Sequence, residues 1–128
     1  MNSLQPIASS AAVMLLMDVG WLYYRNSYHQ ELFKRIQGEP IDPRLFAAAF
    51  IYVILPIAIY LWAVKDAKTI YAAARNGLFV GFLMYAFYDI TNYATFKNWT
   101  LDMTVIDIVW GTILCTVGAA AGFYMKTK

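Results

Sequence analysis

Three aspartates, Asp18, Asp89 and Asp107, lie inside long apolar stretches of this 128-residue chain. An ionised carboxylate in hydrocarbon costs about 2.5–3.5 kcal/mol on insertion scales, so each is expected to face protein or water rather than lipid. Residues of this kind either mark a site for an ion, a proton or a small ligand, where a paired carboxyl group can act as an acid or base, or only join helices through hydrogen bonds. We therefore predict a buried acidic site.

The surroundings of these aspartates contain hydrogen-bonding groups but no base, because no lysine, arginine or histidine occupies the middle of an apolar stretch. Mutual repulsion predicts that at least one aspartate is protonated near neutral pH, or that a cation is bound. Possible hydrogen-bond partners at this depth are Tyr52, Tyr85, Tyr88, Thr91, Asn92, Thr104 and Trp110. The predicted ion- or ligand-binding residues are Asp18, Asp89, Asn92, Asp107, Trp110, Tyr85 and Tyr88.

Other kinds of chemistry have little support in the sequence. It contains no histidine cluster, Cys-His pair or Ser-x-x-Lys arrangement, so neither a metal site nor a nucleophilic enzyme is expected, and no cofactor is predicted. The single histidine, His29, is interpreted as a surface or headgroup contact, and Cys115 as a small packing residue. The net charge of +2 is too small to indicate a nucleic-acid partner.

The elements that carry these aspartates are predicted to be membrane-spanning helices. The chain is 61% hydrophobic and 14% charged, against about 45–50% and about 25% in soluble proteins. Runs of about 20 apolar residues are long enough to cross a bilayer, and they occur at about 4–24, 45–64, 70–94 and 103–125. We predict an all-α, multi-pass integral membrane protein in which residues 1–128 form one antiparallel bundle of four transmembrane helices, surrounded by membrane lipid.

The connection between the first two spans, residues 25–44, is the only long one. Tyr28, Leu32, Phe33 and Ile36 recur in it at helical spacing, which favours a short helix lying in the membrane interface. An irregular solvated loop is the alternative, since the pattern covers only two to three turns. The basic residues divide evenly between the two sides, so the orientation in the membrane is not predicted.

The depth of the three aspartates in the membrane supports a single site. Counting 1.5 Å per residue from the span ends places all three aspartates roughly 8–12 Å below the same interface. Small residues, by contrast, concentrate at the end of the bundle that carries the chain termini. Pairs spaced four residues apart are typical of close helix packing, and they are predicted at Gly77 with Gly81 and at Gly118 with Gly122.

Three stretches around the aspartates are similar to a known family. They read Leu-Met-Asp-Val-Gly-Trp at 16–21, Tyr-Asp-Ile-Thr-Asn-Tyr-Ala-Thr at 88–95, and Ile-Asp-Ile-Val-Trp-Gly-Thr at 106–112. They resemble a family of small four-helix membrane proteins known only as a domain of unknown function. The resemblance covers nearly the whole chain and implies four helices, but it implies no activity. The positions matching its motifs are Asp18, Asp89, Asn92, Asp107 and Trp110.

Three functions fit these features. The first is a transporter- or channel-like protein whose aspartates bind a proton, cation or small ligand; four helices give little wall for a solute path, so this function favours a homo-oligomer. The second is a lipid-binding or lipid-modifying accessory protein that uses a carboxyl group as an acid or base. The third is a structural subunit of a larger membrane complex. The sequence favours the first function but does not exclude the other two.

Overall fold

The structure is a computed structural model that describes residues 2–128, and that part of the chain contains five α-helices and no strand. The helices are α1 (Leu4–Tyr24), α2 (Asn26–Gln37), α3 (Leu45–Ile59), α4 (Ile70–Thr95) and α5 (Leu101–Lys126). A π-helical turn, Tyr60–Val64, continues α3. With this turn included, α1, α3, α4 and α5 are each long and apolar enough to span a membrane. The predicted fold class, an all-α protein with four membrane-spanning helices, is confirmed.

The long connection is helical from Asn26 to Gln37, so the irregular loop considered from the sequence is wrong. α2 ends at Gly38, whose φ of 84° is a left-handed conformation that glycine adopts without strain. Leu32 is fully buried against Trp99 and Met103. α2 therefore docks on the turn between α4 and α5 and covers that end of the bundle.

The core of the bundle is centred on α5, which packs against both α1 and α4. Close approach to α4 occurs at Gly81, where a Cβ would lie 2.6 Å from the Cβ of Cys115 and 2.8 Å from the carbonyl oxygen of Gly111. On the other side of α5, a Cβ at Gly118 would lie 2.6 Å from Cγ of Met14. Helices approach this closely only where side chains are small.

The second span, α3 with its π-helical turn, is tied to the C-terminal end of α5. The backbone nitrogen of Lys65 donates a 2.8 Å hydrogen bond to the carbonyl oxygen of Tyr60. The two residues are five positions apart, which is the separation typical of a π-helix. Lys126 donates from Nζ to the carbonyl oxygens of Val64, Lys65 and Ala67 at 2.6–3.1 Å. These bonds join the end of α5 to the last residue of the π-helical turn and to the connection that follows it.

Candidate functional site: an acidic cavity beneath α2

A cavity of about 510 Å³ lies under α2 and is lined by side chains of α1, α2, α4 and α5. Two of its lining residues are acidic, Asp18 from α1 and Asp107 from α5. No lysine or arginine of the described chain lines it. Its aromatic walls are formed by Trp21, Phe33, Tyr85, Tyr88 and Trp110. The cavity therefore combines anionic groups with π-electron surfaces.

Asp18 links three helices through its two carboxylate oxygens. Oδ1 accepts a hydrogen bond of 3.0 Å from Nε1 of Trp110 on α5, and Oδ2 accepts one from the hydroxyl of Tyr52 on α3. Trp110 in turn stacks on Trp21, with ring centroids 4.5 Å apart and planes inclined by 7°. This network fixes the carboxylate at the cavity wall.

Asp107 and Asp89 form a second acidic group. Asp107 faces the cavity from α5, while Asp89 of α4 lies next to it, behind the lining, with no solvent exposure. Neither Asp89 oxygen has a hydrogen-bond partner among the described residues. Buried polar atoms in native structures are nearly always paired. Two adjacent carboxyl groups without a base meet that requirement when they share a proton or bind a cation.

His29 contributes a group that the sequence interpretation misplaced. It is 7% exposed rather than at the surface, it lines the cavity, and its buried Nδ1 has no hydrogen-bond partner within residues 2–128. Burial, and next the positive charge of Arg25, lower the pKa of His29 below its usual 6.5. The imidazole is therefore neutral at neutral pH.

Arg25 lies at the junction of α1 and α2 and brings positive charge close to the cavity. Its guanidinium carbon lies 4.2 Å from the centre of the Tyr28 ring and 5.6 Å from that of Trp21. Nε and Nη2 are buried without a hydrogen-bond partner among the described residues. The aromatic rings therefore stabilise the guanidinium beside the cavity, where it does not pair with a carboxylate.

Comparison with known proteins identifies the family. The model of the family described as "Predicted membrane protein (DUF2177)" matches residues 4–124. The chain belongs to this family. No match was found among curated proteins or among solved structures. The family resemblance inferred from the sequence is thus confirmed. The prediction of a multi-pass integral membrane protein is confirmed as well.

In this DUF2177 protein the predicted site residues fall into two groups. Those that line the cavity are Asp18, Tyr85, Tyr88, Asp107 and Trp110. Asp89 lies behind Asp107, and Asn92 lies one helical turn beyond Tyr88, half-buried and outside the lining.

The sequence interpretation assigned no role in the site to the α2 residues of the lining, chiefly His29 and Phe33. A signal for His29 was present, because it precedes Leu32 by three residues and Ile36 by seven. That spacing places it on the buried face of α2.

Proposed function

We propose that the cavity beneath α2 binds a small organic cation. The observation that carries this proposal is that Asp18 and Asp107 line one cavity whose other walls are aromatic. Ammonium groups are recognised by this combination, because the faces of aromatic rings are electron-rich and carboxylates supply the opposite charge. A bound cation would also reduce the repulsion between Asp107 and the neighbouring Asp89.

The balance of charge around the cavity supports a cation rather than an anion. Three carboxyl groups, at Asp18, Asp89 and Asp107, lie in or next to the lining. Against them stand the neutral imidazole of His29 and the one guanidinium of Arg25. An anionic ligand would meet two carboxylates in a medium of low dielectric, where repulsion is strong.

The size of the cavity supports an organic ligand. Small-molecule sites have volumes of about 300–1,000 Å³, and this cavity has about 510 Å³. A bare metal ion needs several oxygen ligands at one point. No group of three or more His, Cys, Asp or Glu residues placed to hold a metal occurs in residues 2–128.

We further propose that binding is the first step of a transporter-like function performed by a homo-oligomer. Four helices provide little wall for a solute path, and additional copies would provide it. Gly77, Gly81, Gly118 and Gly122 are buried inside the single chain. Contacts between copies would therefore use other surfaces, such as the apolar outer face of α3, where Phe46 is 84% exposed.

Calorimetric titration of the protein in lipid nanodiscs with tetramethylammonium tests the binding proposal. Saturable binding is expected, and Asp18→Asn or Asp107→Asn should weaken it about tenfold or more, because a charged hydrogen-bonding group contributes about 1.5–3 kcal/mol. Asp102→Asn is the matched control, since Asp102 is exposed in the first turn of α5 and does not line the cavity. Absence of saturable binding, or equal losses in all three variants, would contradict the proposal.

The transport proposal has its own test. Native mass spectrometry from nanodiscs should show more than one chain per particle, and reconstituted liposomes should exchange labelled tetramethylammonium across the bilayer. Asp18→Asn should abolish exchange while leaving the oligomeric mass unchanged. A monomer that binds the cation but does not exchange it would remove transport and leave the binding function standing.

A further inference from the structure

A second, apolar cavity of about 270 Å³ lies between α3 and α4. Its lining residues are Ile51, Ile54, Leu55, Met84, Tyr85 and Tyr88. Ile51 and Ile54 are about half exposed at the outer surface of the bundle. Because this surface is surrounded by lipid in a membrane-spanning protein, the cavity is a groove open to the hydrocarbon.

The groove exists because α3 leans away from α4 over most of its length. Tyr52 ties α3 to α1 through Asp18, and the close packing of the second span on α4 is made by the π-helical turn, Tyr60–Val64. The two helices therefore meet at one end and separate towards the other. The gap lies at the level of Tyr85 and Tyr88.

Tyr85 and Tyr88 line both the groove and the acidic cavity beneath α2. They lie one turn apart on α4, so the two spaces adjoin at these two side chains. On one side lie Asp18 and Asp107, and on the other lie apolar side chains. A charged site inside the bundle is thus next to a hydrocarbon-like groove that opens sideways.

We propose that the ligand is a membrane amphiphile, an alkylammonium with one hydrocarbon chain, which enters from the bilayer between α3 and α4. This inference rests on the proposed function and names its ligand class. The ammonium group fits the acidic cavity by charge, and the chain fits the groove, whose lining side chains are aliphatic or aromatic. Entry from the side keeps the chain in an apolar medium throughout.

Competition in nanodiscs between dodecyltrimethylammonium and labelled tetramethylammonium tests the inference. Dodecyltrimethylammonium should displace labelled tetramethylammonium. Neutral dodecyl maltoside, present at the same concentration in the bilayer as dodecyltrimethylammonium, should not displace it. Ile54→Trp fills the groove and should weaken displacement about tenfold, equivalent to the lost contacts of about two methylene groups. Val53→Trp is the matched control, because Val53 is 55% exposed and lies outside the groove.

The outcomes separate this inference from the function on which it rests. One outcome is that tetramethylammonium binds, while dodecyltrimethylammonium displaces it equally well from Ile54→Trp and Val53→Trp. In that case the groove does not hold the hydrocarbon chain, so the inference fails while the proposed function stands. Retained tetramethylammonium binding in Ile54→Trp shows that this variant is folded. If neither compound binds the unsubstituted protein, the proposed function and the inference both fail.

Discussion

At the scale of single residues, Asp18 combines a structural role with the binding role that we propose for it. Its carboxylate accepts hydrogen bonds from Tyr52 and Trp110 and still faces the cavity. A carboxylate has about four acceptor positions, so two such bonds leave capacity for a cationic ligand. The same residue therefore joins α1, α3 and α5 and presents negative charge to the cavity.

This double role predicts energetic coupling between Asp18 and Tyr52. Asp18→Asn and Tyr52→Phe should each lower the free energy of unfolding, and the double variant should lose less than the sum of the two. Interhelical hydrogen bonds in membranes predict a coupling of about 0.6–1.7 kcal/mol. Unfolding in mixed micelles measures it, with Tyr71→Phe as control because Tyr71 is 74% exposed. Losses that add to within about 0.3 kcal/mol would show that the two side chains act independently.

His29 predicts a pH dependence of α2 docking. Its pKa is lowered in the docked state, chiefly by burial and next by Arg25, while Asp18 and Asp107 act in the opposite sense. The undocked state binds the proton more tightly, so docking is most stable above the ordinary pKa of about 6.5 and weakens as the pH falls below it.

Hydrogen exchange of residues 26–37, corrected for intrinsic rates, measures this effect. Protection should decrease between about pH 7 and about pH 5, and His29→Gln should remove the decrease because glutamine does not titrate. Equal protection of the unsubstituted protein at both pH values would show that His29 does not control docking.

At the scale of helices, two glycines provide a matched comparison of close packing. A Cβ at Gly81 would meet Cys115 and the backbone of Gly111, whereas a Cβ at Gly20 would have nothing within 4 Å. Gly81→Ala should lower the unfolding free energy by about 1–3 kcal/mol through overpacking. Gly20→Ala should be neutral or stabilising by up to about 1 kcal/mol, because alanine favours the helix.

Thermal unfolding of both variants in one detergent makes this comparison. The larger Gly81→Leu should fail to fold or lose more stability, and Leu83→Ile, at a lipid-facing position 65% exposed, should have little effect. Similar losses for Gly81→Ala and Gly20→Ala would mean that α4 and α5 do not depend on this close approach.

The helices themselves could be predicted because the bilayer imposes length and hydropathy directly on each segment. α2 was predicted less firmly, since its stability comes from packing of Leu32 against Trp99 and Met103, residues about 70 positions away in the chain. No feature of the sequence predicted the π-helical turn, Tyr60–Val64. It follows Pro56, but a proline indicates a local disturbance of a helix without specifying its form.

At the scale of the whole molecule, matched depth predicts that aspartates of different helices lie at one level, because every span crosses the same two interfaces. It could not reveal which of them share a cavity, since rotation and tilt of each helix decide that. Asp18 and Asp107 line the cavity and Asp89 does not. The separation of α3 from α4 is a property of helix tilt, which hydropathy does not encode.

Four spans predict that both chain termini lie on the same side of the membrane. Cysteines introduced at the exposed positions Ser3 and Thr127 should react with a membrane-impermeant maleimide from one side only. The native Cys115 is buried and should give no background. Labelling of the two positions from opposite sides would mean an odd number of spans and a different fold.

The central claim, that Asp18 and Asp107 hold one cation between them, is tested most directly by solid-state magnetic resonance in lipid. Dipolar coupling between isotope-labelled tetramethylammonium nitrogen and aspartate side-chain carboxyl carbons reports which carboxyl groups lie beside the bound ligand. Coupling to Asp18 and Asp107, and none to the exposed Asp102, is the result we predict. Coupling to Asp102, or to no aspartate under conditions in which the ligand is bound, would contradict the claim.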